Sequence, residues 1–182
     1  MTKTTRDWAP VTPSRLPYDL SVWVDKCTLV KLTLEVTTEF ASTVSRNAHP
    51  SPPLDDYPPA MLLTLMAYSY ATGVFPSSEI ERRTYQDDMV RYITANDHPN
   101  RDVLRAFRRR RRVVIRECLV KLFLLVWQHR CAAASYDNGS RDDHPAVQRR
   151  PDLSPETIRL LLGEADQRID RAVQYDSMEL DD

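Results

Sequence analysis

The chain has 182 residues and a formal net charge of −1 at pH 7, a length that suits one domain of ordinary size with tails. Its three cysteines, Cys27, Cys118 and Cys131, are odd in number and widely spaced, which argues against a disulfide framework and fits a reducing cytoplasm. The opening MTKTTRDWAP lacks the apolar stretch of a signal peptide, and the longest dense apolar run, residues 118–127, is far shorter than the roughly 20 residues that span a bilayer, so neither secretion nor a membrane partner is expected.

Pro10, Pro13 and Pro17 make the start extended, and residues 1–15 are assigned as a flexible leader. Asp19 or Ser21 can cap the next segment, residues 20–40. Its apolar positions Leu20, Trp23, Val24, Cys27, Val30 and Leu34 suit a helix. Within it, Leu32, Leu34 and Val36 alternate with Thr33, Glu35 and Thr37, a strand signal; the helix is the favoured reading. Residues 45–59 contain five prolines and form a loop.

Pro59 is well placed in the first turn of a helix, AMLLTLMAYSYAT, that is apolar nearly all round and therefore central and buried. Gly73 suits its left-handed C-terminal cap. With only Gly73, Gly139 and Gly163 in the chain, no glycine-rich phosphate loop exists. Ser78 and Glu81 have the spacing of a capping box, which predicts a short helix to about residue 86. Asp88 is expected to cap another short helix, residues 89–94, followed by a turn over 96–100.

Residues 101–127 then predict one long helix on which the rest is organised. Leu104, Phe107, Val114, Ile115, Cys118, Leu122 and Leu125 fall on one side at helical spacing. Arg101, Arg105, Arg108, Arg109, Arg112 and Arg116 fall on the other. Residues 101–116 carry eight arginines and one aspartate, net +7, too few acids for i,i+4 pairing to explain the stripe. A stripe of this kind is the electrostatic footprint of a nucleic-acid binder; the plain alternative is a solvated face. Arg111 lies inside the apolar stripe, so either its side chain snorkels outward or the helix is interrupted near residues 108–112. An interruption would suit a helix-turn-helix. Further on, Leu119, Phe123, Leu124 and Trp127 help to cover all sides of the helix, which makes them a candidate interaction surface.

Residues 131–153 are polar and aperiodic and read as a linker. Ser154 with Pro155 opens a last helix, residues 156–173, with an apolar stripe of Ile158, Leu161, Leu162, Ala165 and Ile169. Residues 152–182 hold nine acids and three arginines, net −6. This tail is read as solvated; folding back over the arginine stripe is the alternative.

Over about residues 16–128 the chain resembles the N-terminal domain of bacterial DDE-type insertion-sequence transposases of the IS-five superfamily, most plainly from residue 57 to 112. The resemblance rests on Pro59-Ala60 with Leu62-Leu63, Tyr68, Tyr70 and Gly73; on Ser77-Ser78 with Ile80-Glu81; on Val90-Arg91-Tyr92-Ile93; and on Pro99 with Phe107-Arg108-Arg109. Upstream, Lys31-Leu32 and Glu35-Val36 are similar to a helical segment of those proteins, which favours helix there. The chain departs from the pattern at Asn100, Arg101, Asp102 and Val103, where the family has Asp-His-Ser/Thr-Thr. It also departs at 137–141, a faint echo of the family's first catalytic motif without the RNase H-like sheet that would follow. The resemblance therefore implies a truncated or degenerate transposase that binds double-stranded DNA, at terminal inverted repeats, without strand transfer of its own. Ser77, Arg82 and Arg83 join the arginine stripe as candidate phosphate contacts, with Ser78 beside them. Base reading is expected from Arg101 and Arg105 in a major groove.

The other expected role is interaction: dimerisation, or association with a full-length transposase that inhibits transposition. Asp137, Asp142, Asp143 and His144 have metal-binding side chains, but contiguous acids in a glycine-containing loop are usually solvated. His129 and Cys131 lack a second ligand pair, and no histidine pairs with a nucleophile. No catalytic residue, metal or cofactor is assigned. The expected organisation is an all-α domain over 16–130 with a helix-turn-helix-like basic helix, a linker over 131–153, and a loose acidic helix and tail over 154–182, in the cytoplasm.

Overall fold

In the computed structural model the described residues are 16–46, 54–137 and 154–179. Among the described residues there are six α-helices and no strand: α1 (Lys26–Arg46), α2 (Pro59–Ala71), α3 (Ser77–Gln86), α4 (Asp88–Thr94), α5 (Arg101–Asp137) and α6 (Pro155–Met178). The leader 1–15, most of the proline loop and residues 138–153, with Asp142, Asp143 and His144, lie outside the described residues.

Helix α1 is a helix throughout the stretch where alternation also fitted a strand. Thr33 and Thr37 of that alternation, and Thr38 after it, donate their hydroxyls to carbonyls three or four residues back in the helix. The helix starts later than the apolar spacing predicts. Asp19 caps only a single 3-10 turn, Leu20–Val22, and Asp25 restarts the chain by accepting both the amide and the hydroxyl of Thr28.

The central helix is α2. Every residue from Leu62 to Ala71 is buried, as expected of a helix apolar on all sides. It packs on α1, α4 and α5. Gly73 ends it at φ +75°, where a Cβ would come within 2.4 Å of the Tyr18 ring; the left-handed turn and the close approach both need glycine.

Two predicted caps move. The capping box of Ser78 and Glu81 does not form. Pro76 stands at the cap position of α3, the helix begins at Ser77, and Pro76 itself offers no side-chain acceptor. For α4 the cap is Asp87, whose carboxylate accepts from the amides of Met89 and Val90, and Asp88 is the first helical residue. Asn100, where the chain departs from the transposase pattern, caps α5 through the amides of Asp102 and Val103.

Helix α5 runs ten residues beyond 127 and takes in the start of the expected linker. It is interrupted at Arg111, whose φ of −116° and ψ of 19° are not helical. This is the second of the two resolutions open to a cation in the apolar stripe: the helix shifts register and the Arg111 side chain stays partly exposed.

The acidic C-terminal helix is not loose. Leu161, Ala165, Ile169 and Ala172 of α6 are buried in the common core, and α6 packs against α5. Ser154 caps it by accepting the Thr157 amide. The buried face is offset from the expected stripe, since Ile158 is exposed and Arg168 is buried. Arg168 explains why. Its guanidinium donates to the carbonyls of Pro17, Tyr18, Tyr70 and Ala71 and to Glu164, 2.8 Å away, and lies over the Phe123 ring. One cation thus closes the C-terminal end of α2 and ties it to the N-terminal segment. Burial lowers its pKa, and the Glu164 carboxylate opposes that shift.

Candidate nucleic-acid interface

Four arginines of the α5 stripe face α6. Arg105 pairs with Glu179 at 2.9 Å, Arg108 with Asp176, Arg112 with Asp170 at 2.6 Å and Arg116 with Asp166 at 2.8 Å. As the arginine number rises, the acid number falls: α5 and α6 run antiparallel and their opposite charges meet rung by rung. The rungs differ in solvation. Arg112–Asp170 and Arg116–Asp166 are more than a third exposed, whereas Arg108 and Asp176 are buried.

The inner end of this ladder converges on the start of α3. The Ser77 amide donates to Asp176 Oδ1 at 2.9 Å and its hydroxyl to Oδ2 at 2.8 Å. Arg108 donates to the same carboxylate, to Ser77 Oγ, to the Ala172 carbonyl and to the Tyr70 hydroxyl. Ser78 donates its hydroxyl to Glu179. A helix N-terminus, two hydroxyls and two guanidinium groups thus surround two carboxylates, an arrangement suited to anions. Tyr70, fully buried beneath Arg108, has its phenol pushed up to about 12 by loss of water, against the pull of the Arg108 charge.

The structure corrects the site in two respects, at Arg108 and at the apolar surface, and gives two further candidates a partner of their own. Arg108 is 2% exposed and belongs to the core network, not to a solvent face, because α6 covers it. Arg82 and Arg83 both pair with Glu79 on their own helix, and Arg82 also bonds Gln86. The expected interaction surface is interior: Leu119, Phe123 and Trp127 are buried and Leu124 is half-buried, since α1, α2 and α6 enclose α5. That apolar patch is absent from the surface of this chain.

What stays outward is Arg101, Arg109 and Arg110, all exposed, with Arg111 partly so. None of these four side chains meets a carboxylate among the described residues; the Arg101 amide alone reaches Glu81. Burial and the neighbouring Arg110 charge lower the pKa of Arg111. Asp166, Asp170, Asp176 and Glu179 were not singled out from the sequence as arginine partners, although their spacing on one helix was available. No group of histidine, cysteine and acidic side chains suited to a metal occurs among the described residues. No helix among them is long and apolar enough to cross a membrane. No protein-family model, curated protein or solved structure matches the chain.

Proposed function

We propose that this chain is a helical DNA-binding module of the kind that opens the insertion-sequence transposases it resembles, with no strand transfer of its own. The observation that carries this reading is the unneutralised run at the α5 kink. Arg109, Arg110 and Arg111, together with Arg101 one end of the helix away, have no carboxylate partner among the described residues. Adjacent like charges repel and add nothing to the fold, and a polyanion resolves that repulsion. Arg112 adds to the patch, because its bond to Asp170 is solvent-exposed and such pairs hold weakly. In a helix-turn-helix mode of docking, Arg101 at the start of α5 would reach base edges, and the kink would follow the phosphates.

The test is fluorescence anisotropy of a labelled duplex across salt concentrations, comparing the parent with Arg109→Ala/Arg110→Ala/Arg112→Ala. Each phosphate neutralised contributes about −0.9 to the log–log slope, so the triple variant should be shallower by roughly 2–3. Absence of salt-dependent binding by the folded parent would overturn the reading.

A further inference from the structure

The donors gathered at the start of α3 surround carboxylates from a helix end that little else holds down. Beyond Ala172, the apolar residues of α6 point away from the body: Val173 is 41% exposed, Tyr175 44% and Met178 66%. In this last turn only Asp176 is buried, and Glu179 partly so. The turn is therefore fastened by two carboxylates and by no apolar packing of its own. The rest of α6 is fixed independently by Leu161, Ala165, Ile169 and Ala172 in the core and by Arg168.

Beneath the turn, the carboxylates leave one donor of Arg105 without a hydrogen bond. Its Nε is buried and donates to no acceptor, standing 3.6 Å from Asp176 Oδ2. A planar carboxylate offers two oxygens in one direction. A tetrahedral phosphate spreads its oxygens more widely and can reach a donor the carboxylate leaves unused. If the turn lifts, the Arg108 guanidinium keeps its bonds to Tyr70, to Ser77 Oγ and to the carbonyl of Ala172. The pocket thus stays organised without its plug.

We propose that Ser77, Ser78, Arg105 and Arg108 form a phosphate-binding site for a nucleic-acid backbone, and that the last turn of α6 occupies it with Asp176 and Glu179 as anionic stand-ins. The proposal rests on the DNA-binding reading above and adds a second contact region, which opens only when the turn is displaced. Binding at the kink brings a polyanion beside Arg112, where it competes with Asp170 first and with the buried rungs afterwards.

Two probes separate the proposal from the reading beneath it: a 20-bp duplex, followed by anisotropy at fixed salt, and inorganic phosphate, followed by the amide resonances of Ser77 and Ser78. The variants are Glu179→Gln, Asp176→Asn/Glu179→Gln, and the double variant with Arg105→Ala. The double variant should bind duplex about tenfold tighter than the parent, since two competing charges are removed. Arg105→Ala should abolish that gain, and phosphate should move both serine amides only in the plug variants. If the double variant fails to fold with Arg108 left uncompensated, Glu179→Gln carries the test with a gain of about threefold, because that carboxylate is 29% exposed. Equal duplex affinity for all folded variants, with unmoved serine amides, overturns the plug and leaves the kink as the DNA contact. Phosphate shifts at Ser77 and Ser78 without duplex binding by any variant uphold the anion site and overturn its assignment to nucleic acid. Neither response in any folded variant overturns both.

Discussion

Arg168 shows how one side chain can decide where a helix docks. A guanidinium buried among carbonyls is stable only because its nitrogens find acceptors; of the four backbone oxygens it serves, that of Tyr70 also accepts from the Gly73 amide. Replacing it with methionine keeps much of the volume and the contact with Phe123 but removes its donors from the carbonyls of Pro17, Tyr18 and Ala71 and from Glu164. The expected loss is about 3–5 kcal/mol, the range for removing one side of a buried ionic network. Urea denaturation of Arg168→Met measures it. A loss below about 1 kcal/mol would mean that water reaches the carbonyls, so that the guanidinium is not what closes α2.

At the scale of the helices, the α5–α6 pairing is a graded series. Arg116 and Asp166 make a two-pronged contact, 2.8 and 2.9 Å, that is only part-buried; Arg112 and Asp170 are more exposed still. Double-mutant cycles on these rungs should give coupling energies of about 0.2–1 kcal/mol. Asp176→Ala should cost about 3–5 kcal/mol, because Arg108 would be left charged and enclosed. Equal couplings along the ladder would contradict this grading. The same contrast explains what could be read in advance. The helices, the Gly73 stop, the Ser154 cap and the Arg111 interruption follow from local spacing and turn chemistry, which nearby residues dictate. The docking of α6 does not. Its charges and those of α5 are separated by 50 to 74 residues, and net charge alone gave no reason to prefer a folded-back helix over a solvated one. Arg168 was hidden for a related reason: a cation at a core position reads as a defect until its carbonyl partners, about 100 and 150 residues away, are known. The apolar excess on Leu119, Phe123 and Trp127 misled in the opposite sense, since three other helices were available to cover it.

For the whole molecule, the buried ionisable groups predict how stability responds to alkali. Burial pushes the Cys118 thiol from its ordinary 9.0 up to about 12, and does the same to the phenols of Tyr68 and Tyr70 from 10.0. For Tyr68, the negative charge of Asp87 adds to the shift; for Tyr70, Arg108 opposes it. All three folded-state values lie above the unfolded ones. Each group is therefore protonated in both states below pH 9, and no stability is lost there on its account. Above pH 9 the unfolded chain releases the Cys118 proton first and the tyrosine protons from about pH 10, while the folded chain retains all three until about pH 12. Fewer protons bound to the unfolded state make stability fall as pH rises. Urea midpoints should thus be flat from pH 7.5 to 8.5, decline from pH 9, and decline more steeply beyond pH 10. Cys118→Ala should remove the earliest part of the decline while lowering the midpoint at every pH by the small cavity it leaves. An unchanged onset in Cys118→Ala would assign the decline to the tyrosines alone, and a midpoint flat to pH 11 would mean that the core admits water around all three groups.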